Sequence, residues 1–256
     1  MNEHAITPAE DGWWHALYDE HLAEVLLVRD TEPGDVVDFL VNVLGVTPGQ
    51  RLFDQCCGIG SLAIPLAKRG FTVVGCDLGT GYVARGLALA ADAGVTVELH
   101  QADAFAFVPD APCAGAFNWW TSFGYARDDL QNLEMLRRAA ESLVPGGRFA
   151  LDTMNVPNVI RDFRAVVHTA RGPIRLTRES ALDVDAGFLH KRWIYDYDDG
   201  RTFTRTSTVR LHTPWELRAL LRGAGFDSVR MVGDVDGRPL GPDSPRCIAI
   251  ATRTAA

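Results

Sequence analysis

Between Arg51 and Thr153 the chain repeats one unit: a short apolar run, a turn, and a stretch with helical spacing. Arg51–Asp54 reads as a strand leading to a helix over Leu62–Lys68, and Thr72–Asp77 as a strand leading to a helix over Tyr82–Ala93, ended by Gly94. Val95–Leu99 and Ala114–Trp119 supply two further strands. Leu130–Leu143 has helical spacing, and Pro145–Gly147 turns the chain into a strand over Arg148–Thr153. Such a rhythm demands an α/β fold, with a mostly parallel central sheet and helices on both faces.

The flanks depart from this rhythm. Residues 1–44 are expected to form an N-terminal helical cap, because Trp14, Leu17, Tyr18, Leu22, Val25 and Leu26 share an apolar face. Pro33 and Gly34 interrupt it before a helix over Val36–Leu44. Residues 160–213 read as an antiparallel β insertion of three strands, Ile174–Leu182, Phe188–Tyr197 and Thr202–His212, with a tight connection near Asp199–Gly200. A helix over Trp215–Arg222 and strands over Phe226–Val232 and Arg246–Thr252 complete what is expected to be a single domain spanning 1–256.

Composition narrows the function. A formal charge of −8 opposes broad nucleic-acid binding, since phosphate contacts need a basic field. Apolar stretches are broken well before the length of a membrane span, and the N-terminus lacks the basic and apolar regions of a signal peptide. The five Cys show no C-x-x-C pairs suited to zinc. Cytoplasmic, reduced cysteines and no metal are the expectation.

The chemistry concentrates after the first strand, in Asp54-Gln55-Cys56-Cys57-Gly58-Ile59-Gly60. Glycines permit a sharp strand-to-helix turn and close backbone approach by a ligand. A G-x-G pair alone is equally an ordinary turn. Spacing adds weight: Asp77 ends the next strand 23 residues after Asp54, and Asp103 follows the third. Asp77 is placed to accept from both hydroxyls of a ribose, Asp103 to accept from an adenine amino group, and Ala104 to offer a backbone donor. Capping of helices is the bland alternative for each acid. The full G-x-G-x-x-G cradle of a dinucleotide enzyme is absent.

These residues resemble the class I S-adenosylmethionine-dependent methyltransferases, through Leu52–Gly60, Val73–Asp77, Asp103 and Pro145-Gly146-Gly147. The resemblance implies a Rossmann-like fold and S-adenosyl-L-methionine as cofactor. It implies cofactor binding by Asp54, Cys56, Gly58, Gly60, Asp77, Leu78, Asp103, Ala104 and Asn118, with Trp14 and Tyr18 contributed by an N-terminal lid. Trp120-Thr121-Ser122-Phe123-Gly124-Tyr125 is similar to a signature of a bacterial small-molecule subgroup. Family members often have Gly where Cys56 stands, and an acid where this chain has Gly115-Ala116-Phe117.

The implied reaction moves a methyl group to an oxygen, nitrogen or activated carbon of a small, specialised metabolite; a noncatalytic, metabolite-binding member is the alternative. Trp119, Trp120, Ser122, Phe123 and Tyr125 surround the loop after the fourth strand and are expected to contact the acceptor, together with Asn155 and Trp193. Core packing competes for the aromatics. Tyr125, Asp152, His168 and His190 are the candidates for proton handling or orientation of the acceptor, with structural roles competing for each. The insertion is expected either to close over an aromatic or acidic acceptor or to pair subunits in a homodimer.

Overall fold

Burial on both faces marks the central strands. In β1 (Arg51–Gln55) and β2 (Thr72–Asp77) four consecutive residues are buried, as parallel strands sandwiched between helices require. The computed structural model describes residues 6–27 and 33–255. It continues with β3 (Glu98–Gln101), β4 (Cys113–Asn118), β5 (Leu143–Met154), β6 (Val166–Arg171), β7 (Ile174–Asp183), β8 (Phe188–Tyr197), β9 (Thr202–Arg210), β10 (Phe226–Val232) and β11 (Arg246–Arg253). Seven strands form the central sheet in the order β10-β11-β5-β4-β1-β2-β3. All pairings are parallel except those of β11, which runs antiparallel to β5 and β10.

Alternation distributes the side chains to two cores. Leu52, Val73, Phe117, Ala150 and Ile248 pack with helices α3 (Gly34–Leu44), α4 (Ala63–Lys68) and α5 (Thr80–Asp92). Their sequence neighbours Phe53, Val74, Ala116, Phe149 and Ala249 face α6 (Asp129–Glu141) and α8 (Pro214–Gly223). Helix starts follow side-chain chemistry: Asp128 caps α6, and Thr213 with Glu216 closes a capping box on α8.

The order of the sheet reverses between β1 and β4, which both pair in parallel and lie side by side. At such a switch point the loops leaving the two strands diverge to opposite faces and open a crevice.

Strands β6-β7-β8-β9 make a separate antiparallel sheet. The sequence predicts three of these strands; β6 is the addition, alternating exposed and half-buried residues at the sheet's edge. A short helix, α7 (Val156–Arg161), precedes it. The sheet is seated on the loop after β4, where Arg210 N donates to Gly124 O at 2.7 Å. A Cβ on Gly124 (φ 85°) would collide with the Arg210 carbonyl oxygen, so this contact requires glycine.

The N-terminal segment is broken into α1 (Trp14–Leu17), α2 (Glu20–Leu22) and a π-helical turn over Ala23–Leu27, instead of one long helix. It spends its apolar face on the small sheet: Trp13, Trp14, Leu17 and Leu22 cluster with Leu176, Trp193, Tyr195 and Val209. Asp19 pairs with Arg205 at 2.9 Å, and His21 Nδ1 lies 2.6 Å from the Tyr197 hydroxyl. The segment and the small sheet thus roof the crevice together.

Candidate active site

The turn after β1 is built from left-handed residues: Cys56 (φ 64°), Gly58 (φ 55°) and Gly60 (φ 78°). Its backbone is pinned to β2 twice. Cys57 N donates to Cys76 O at 2.9 Å, and Gly58 N donates to Asp77 Oδ2 at 2.8 Å. The other carboxylate oxygen of Asp77 accepts from Gly79 N at 2.8 Å. One side chain therefore holds two loops at the mouth of the crevice. Asp103, after β3, accepts from Phe105 N at 2.9 Å through a single oxygen.

Asp54 is 3% exposed. Burial raises its carboxyl well above the usual range, and the charge of Asp77 adds to the rise. Burial also raises Asp77, against the pull of the Gly79 and Gly58 amides. The three acids stand at the ends of three successive strands, and two adjoining cavities open between them. The outer, of about 570 Å³, is lined by Trp14, Asp77, Leu78, Asp103, Ala104 and Phe105 among others. The inner, of about 380 Å³, reaches from Asp54 and Gly58 to Trp119, Trp120, Met154, Lys191, Trp193 and Arg246.

Tyr18, Cys56, Asp77, Tyr82, Ser122 and Tyr125 line both chambers. The hydroxyls of Tyr18 and Tyr125 are hydrogen-bonded to each other where the chambers meet. Desolvation raises both phenols. Trp13 packs on Tyr125 with ring centroids 4.8 Å apart, and Trp14 lies 6.0 Å from Phe105. The buried indole N–H groups of Trp13 and Trp14 have no hydrogen-bond partner among the described residues.

Seven residues expected at the site lie outside both chambers. Gly60 shapes the turn, its open side facing Ile64. Asn118 is fully buried behind the loop, donating to Gln55 Oε1 and to Ser122 O, both at 3.2 Å. Phe123 packs against His212, with centroids 5.2 Å apart. Asn155 is spent on the carbonyls of Gly241 (2.9 Å) and Ser244 (2.8 Å).

Asp152 receives Arg246 Nε at 2.6 Å and Trp120 N at 3.0 Å. Burial raises its carboxyl despite Arg246, yet donors occupy both oxygens. Trp120 (φ 57°) and Thr121 (φ 65°) are left-handed, and Arg246 Nη2 reaches Thr121 Oγ1 at 2.9 Å. The pair holds a strained turn in place and is not free to serve an acceptor. His168 is exposed on β6, 3.0 Å from Thr177 Oγ1. His190 is buried with Nδ1 2.9 Å from Thr208 Oγ1, and burial lowers its pKa. As a neighbour of Lys191 on β8, it points to the sheet's other face.

Tyr82, Phe105, Met154, Ser207 and Arg246 line the chambers without having been singled out from sequence. Lys191, a basic residue of the insertion that the alternation of β8 sets beside Trp193, lines the inner chamber as well. Among the described residues no cluster of His, Cys, Asp or Glu suits a metal, and no helix is long and apolar enough to cross a membrane.

Residues 52–147 match the family model described as "Methyltransferase domain". Two solved structures share the whole architecture. The CcbJ methyltransferase from Streptomyces caelestis superposes with a TM-score of 0.78 at 19% identity, covering 93% of this chain and 98% of that one. The sugar N-methyltransferase KedS8 from Streptoalloteichus does so with a TM-score of 0.66 at 19% identity, covering 99% of both chains. Among curated sequences, a ubiquinone biosynthesis O-methyltransferase from a Caulobacter species is 32% identical over 113 residues, 43% of this chain and 44% of that protein. A 23S rRNA (uracil(1939)-C(5))-methyltransferase from Methylococcus capsulatus is 39% identical over 69 residues, 27% of this chain and 16% of that protein. The chain thus spans less than half the length of these curated relatives. The fold is the Rossmann-like class I methyltransferase fold with an antiparallel insertion. In fold the chain is similar to these two bacterial methyltransferases.

Proposed function

We propose that the chain is an S-adenosylmethionine-dependent methyltransferase whose acceptor is a small molecule. The observation that carries this reading is the pair of adjoining chambers at the switch point, with Asp54, Asp77 and Asp103 arrayed along them. The methyltransferase-domain match over residues 52–147 supports it.

The residues fit the nucleoside. Each oxygen of Asp77 accepts one backbone N–H and keeps a lone pair for a ribose hydroxyl. Asp103 has an oxygen free of the Phe105 amide for the adenine amino group, and the unpartnered Trp14 indole N–H supplies a donor beside it. Among the described residues Asp54 forms no ion pair, so its buried carboxyl group is open to the ammonium of the methionine part, whose charge would favour the ionised form. When bound, S-adenosylmethionine supplies an electrophilic methyl group on a sulfonium.

The chain's own work is positioning and exclusion of water. Trp119, Trp120 and Trp193 form aromatic walls for the acceptor in the inner chamber, whose volume suits a small molecule. Tyr125, kept neutral by burial, donates or accepts a hydrogen bond at the passage between the chambers. His168 and His190 stand outside the chambers and take no part in this reading. A charge of −8 opposes a phosphate-tracking surface, which favours a metabolite over a nucleic acid.

Calorimetric titration with S-adenosylhomocysteine and with NAD tests the cofactor. Saturable binding of the first alone is expected, and a folded protein that ignores S-adenosylhomocysteine sinks the reading. Transfer of a labelled methyl group to members of a metabolite panel then tests the reaction.

A further inference from the structure

Lys191 on the roof of the inner chamber and Arg178 beside it meet at one ring, and neither has a counter-ion among the described residues. The alternation of β8 sets Leu189, Lys191, Trp193 and Tyr195 on one face. Lys191 lines the inner chamber with its Nζ 5.6 Å from the centroid of the Trp193 ring. Arg178, directly opposite Trp193 on β7, brings its Cζ to 5.8 Å from the same ring. The indole N–H between them is committed to Ser207 Oγ at 2.9 Å.

Elsewhere on this small sheet the cations are neutralised. Arg175 pairs with Asp198, Arg192 with Glu179, Arg201 with Asp199 and Arg205 with Asp19. No carboxylate of the described residues pairs with Lys191 or Arg178, and the buried Arg178 Nε has no hydrogen-bond partner. In a chain with 33 acidic residues against 25 basic ones, two unpaired cations meeting over one indole are out of character. The other cation at this chamber, Arg246, is already bound to Asp152. A half-buried ammonium without a counter-charge is unfavourable, and the cation–π contact with Trp193 offsets only part of that cost.

We infer that the inner chamber recognises an acceptor carrying a carboxylate on an aromatic or apolar body, and that Lys191 receives the carboxylate. The inference rests on the methyltransferase reading for the purpose of the chamber. Trp119, Trp120, Met154 and Val209 supply walls for the body. Asp54 and Asp77 line the opposite end, where an anion finds no cation among the described residues. The carboxylate is thereby drawn to the roof, and the acceptor's other end is presented toward the turn at Gly58. Burial, with Arg178 adding its repulsion, brings Lys191 down to about 8, so an entering carboxylate also stabilises the ammonium.

The groups facing Lys191 are Arg178 from β7, Arg246 with Asp152 from the central sheet, Asp54 and Asp77 at the turn, and the Tyr18–Tyr125 pair. Loss of the Lys191 proton leaves the anion without its ammonium. Affinity for a carboxylate then falls by about tenfold per pH unit above about pH 8.

The test is calorimetry with three matched pairs: 4-hydroxybenzoate, 4-aminobenzoate and indole-3-carboxylate, each against its primary amide. The protein is titrated first with S-adenosylhomocysteine, then, so loaded, with each probe. Wild type is expected to prefer at least one acid over its amide by about tenfold or more. Lys191→Met should abolish that preference while still binding the amide and S-adenosylhomocysteine, which also shows that it is folded. Lys191→Arg should keep the preference and remove its decline above pH 8. A preference that survives in Lys191→Met overturns the inference, as does the absence of saturable binding by every acid. Failure to bind S-adenosylhomocysteine instead strikes the cofactor reading, and the acids titrated without it still report on Lys191.

Discussion

The phenol rings of Tyr18 and Tyr125 stack with centroids 5.8 Å apart and join hydroxyl to hydroxyl between the two chambers. One comes from the N-terminal segment and the other from the loop after β4, so the passage exists only when the roof is seated. Burial raises both phenols, Tyr18 further through the charge and hydrogen bond of Tyr125. Neither is a phenolate near neutral pH.

Removal of one hydroxyl should therefore act through positioning. Tyr125→Phe is expected to lower kcat by about tenfold, the worth of a hydrogen bond of roughly 1–1.5 kcal/mol. It should leave the Kd for S-adenosylhomocysteine within about threefold, as a loss of acceptor alignment requires. The pH–rate profile should show no rising limb from a tyrosine between about pH 7 and 9 in wild type. Such a limb, absent in Tyr125→Phe, would make Tyr125 a base.

Asp77 joins the turn after β1 to the start of α5 through Gly58 N and Gly79 N. An amide in its place offers one acceptor oxygen where the carboxylate has two, so one loop is released. Asp77→Asn is expected to weaken S-adenosylhomocysteine by about 100-fold, from a lost ribose contact and a loosened turn, each worth roughly 1–1.5 kcal/mol. Asp77→Glu, which keeps the charge with the wrong reach, should fall between wild type and Asp77→Asn in the same titration.

How much of this arrangement was legible in the sequence depends on the range of the forces involved. Apolar runs and the turns between them located the seven central strands, most plainly β1, β2, β4 and β11, where burial on both faces is written in consecutive residues. The acids after β1, β2 and β3 were visible for the same reason. Strand β6 was not, since Val166–Arg171 has neither a continuous apolar run nor an apolar–polar alternation, lies at an edge and begins without a Gly or Pro turn. Asp152 and Asn155 looked open to ligands at the end of β5. Their partners, Arg246 and the carbonyls of Gly241 and Ser244, lie some ninety residues further on and cannot be read from local spacing. The histidines of the insertion suffered the same fate, because the face each occupies depends on a register that only the folded sheet reveals.

The Asp152–Arg246 pair should behave as structure. It ties down Trp120 and Thr121, whose left-handed backbone costs about 1–2 kcal/mol per residue. Asp152→Ala deprives the half-buried Arg246 guanidinium of its carboxylate and frees the turn, so a loss of about 1.5–3 kcal/mol in urea denaturation is expected. Asp152→Asn retains an acceptor and should lose less. A fully stable Asp152→Ala protein with abolished turnover would point instead to proton transfer.

Cys56 adopts a conformation that glycine enters without cost. Relief of that strain and the greater freedom of glycine in the unfolded chain oppose one another at about 1 kcal/mol each. Cys56→Gly should accordingly hold Tm within about 3 °C of wild type, whereas the β-branched Cys56→Val should lower it by about 4 °C or more. Burial also raises the Cys56 thiol, with the neighbouring thiol and acids adding to the effect. Iodoacetamide at about pH 8 should label it far more slowly in the native protein than in urea. Rapid native labelling would contradict the desolvated setting.

Lys191 makes a last prediction that needs no ligand at all. Its folded pKa of about 8 lies below the ordinary value of 10.5, so between these limits the unfolded chain binds more protons than the folded one. Stability then rises with pH across that window, and the full cost of the half-buried ammonium is felt below about pH 8. Replacing the ammonium by an apolar side chain of similar length removes the cost. Lys191→Met is expected to raise the Tm of the ligand-free protein by roughly 2–6 °C at neutral pH. The gap between variant and wild type should narrow when both are melted at about pH 9.5, where much of the wild-type ammonium is gone in the fold. A gap that stays constant with pH would assign the gain to packing; a destabilised variant would mean that the cation already has its counter-charge.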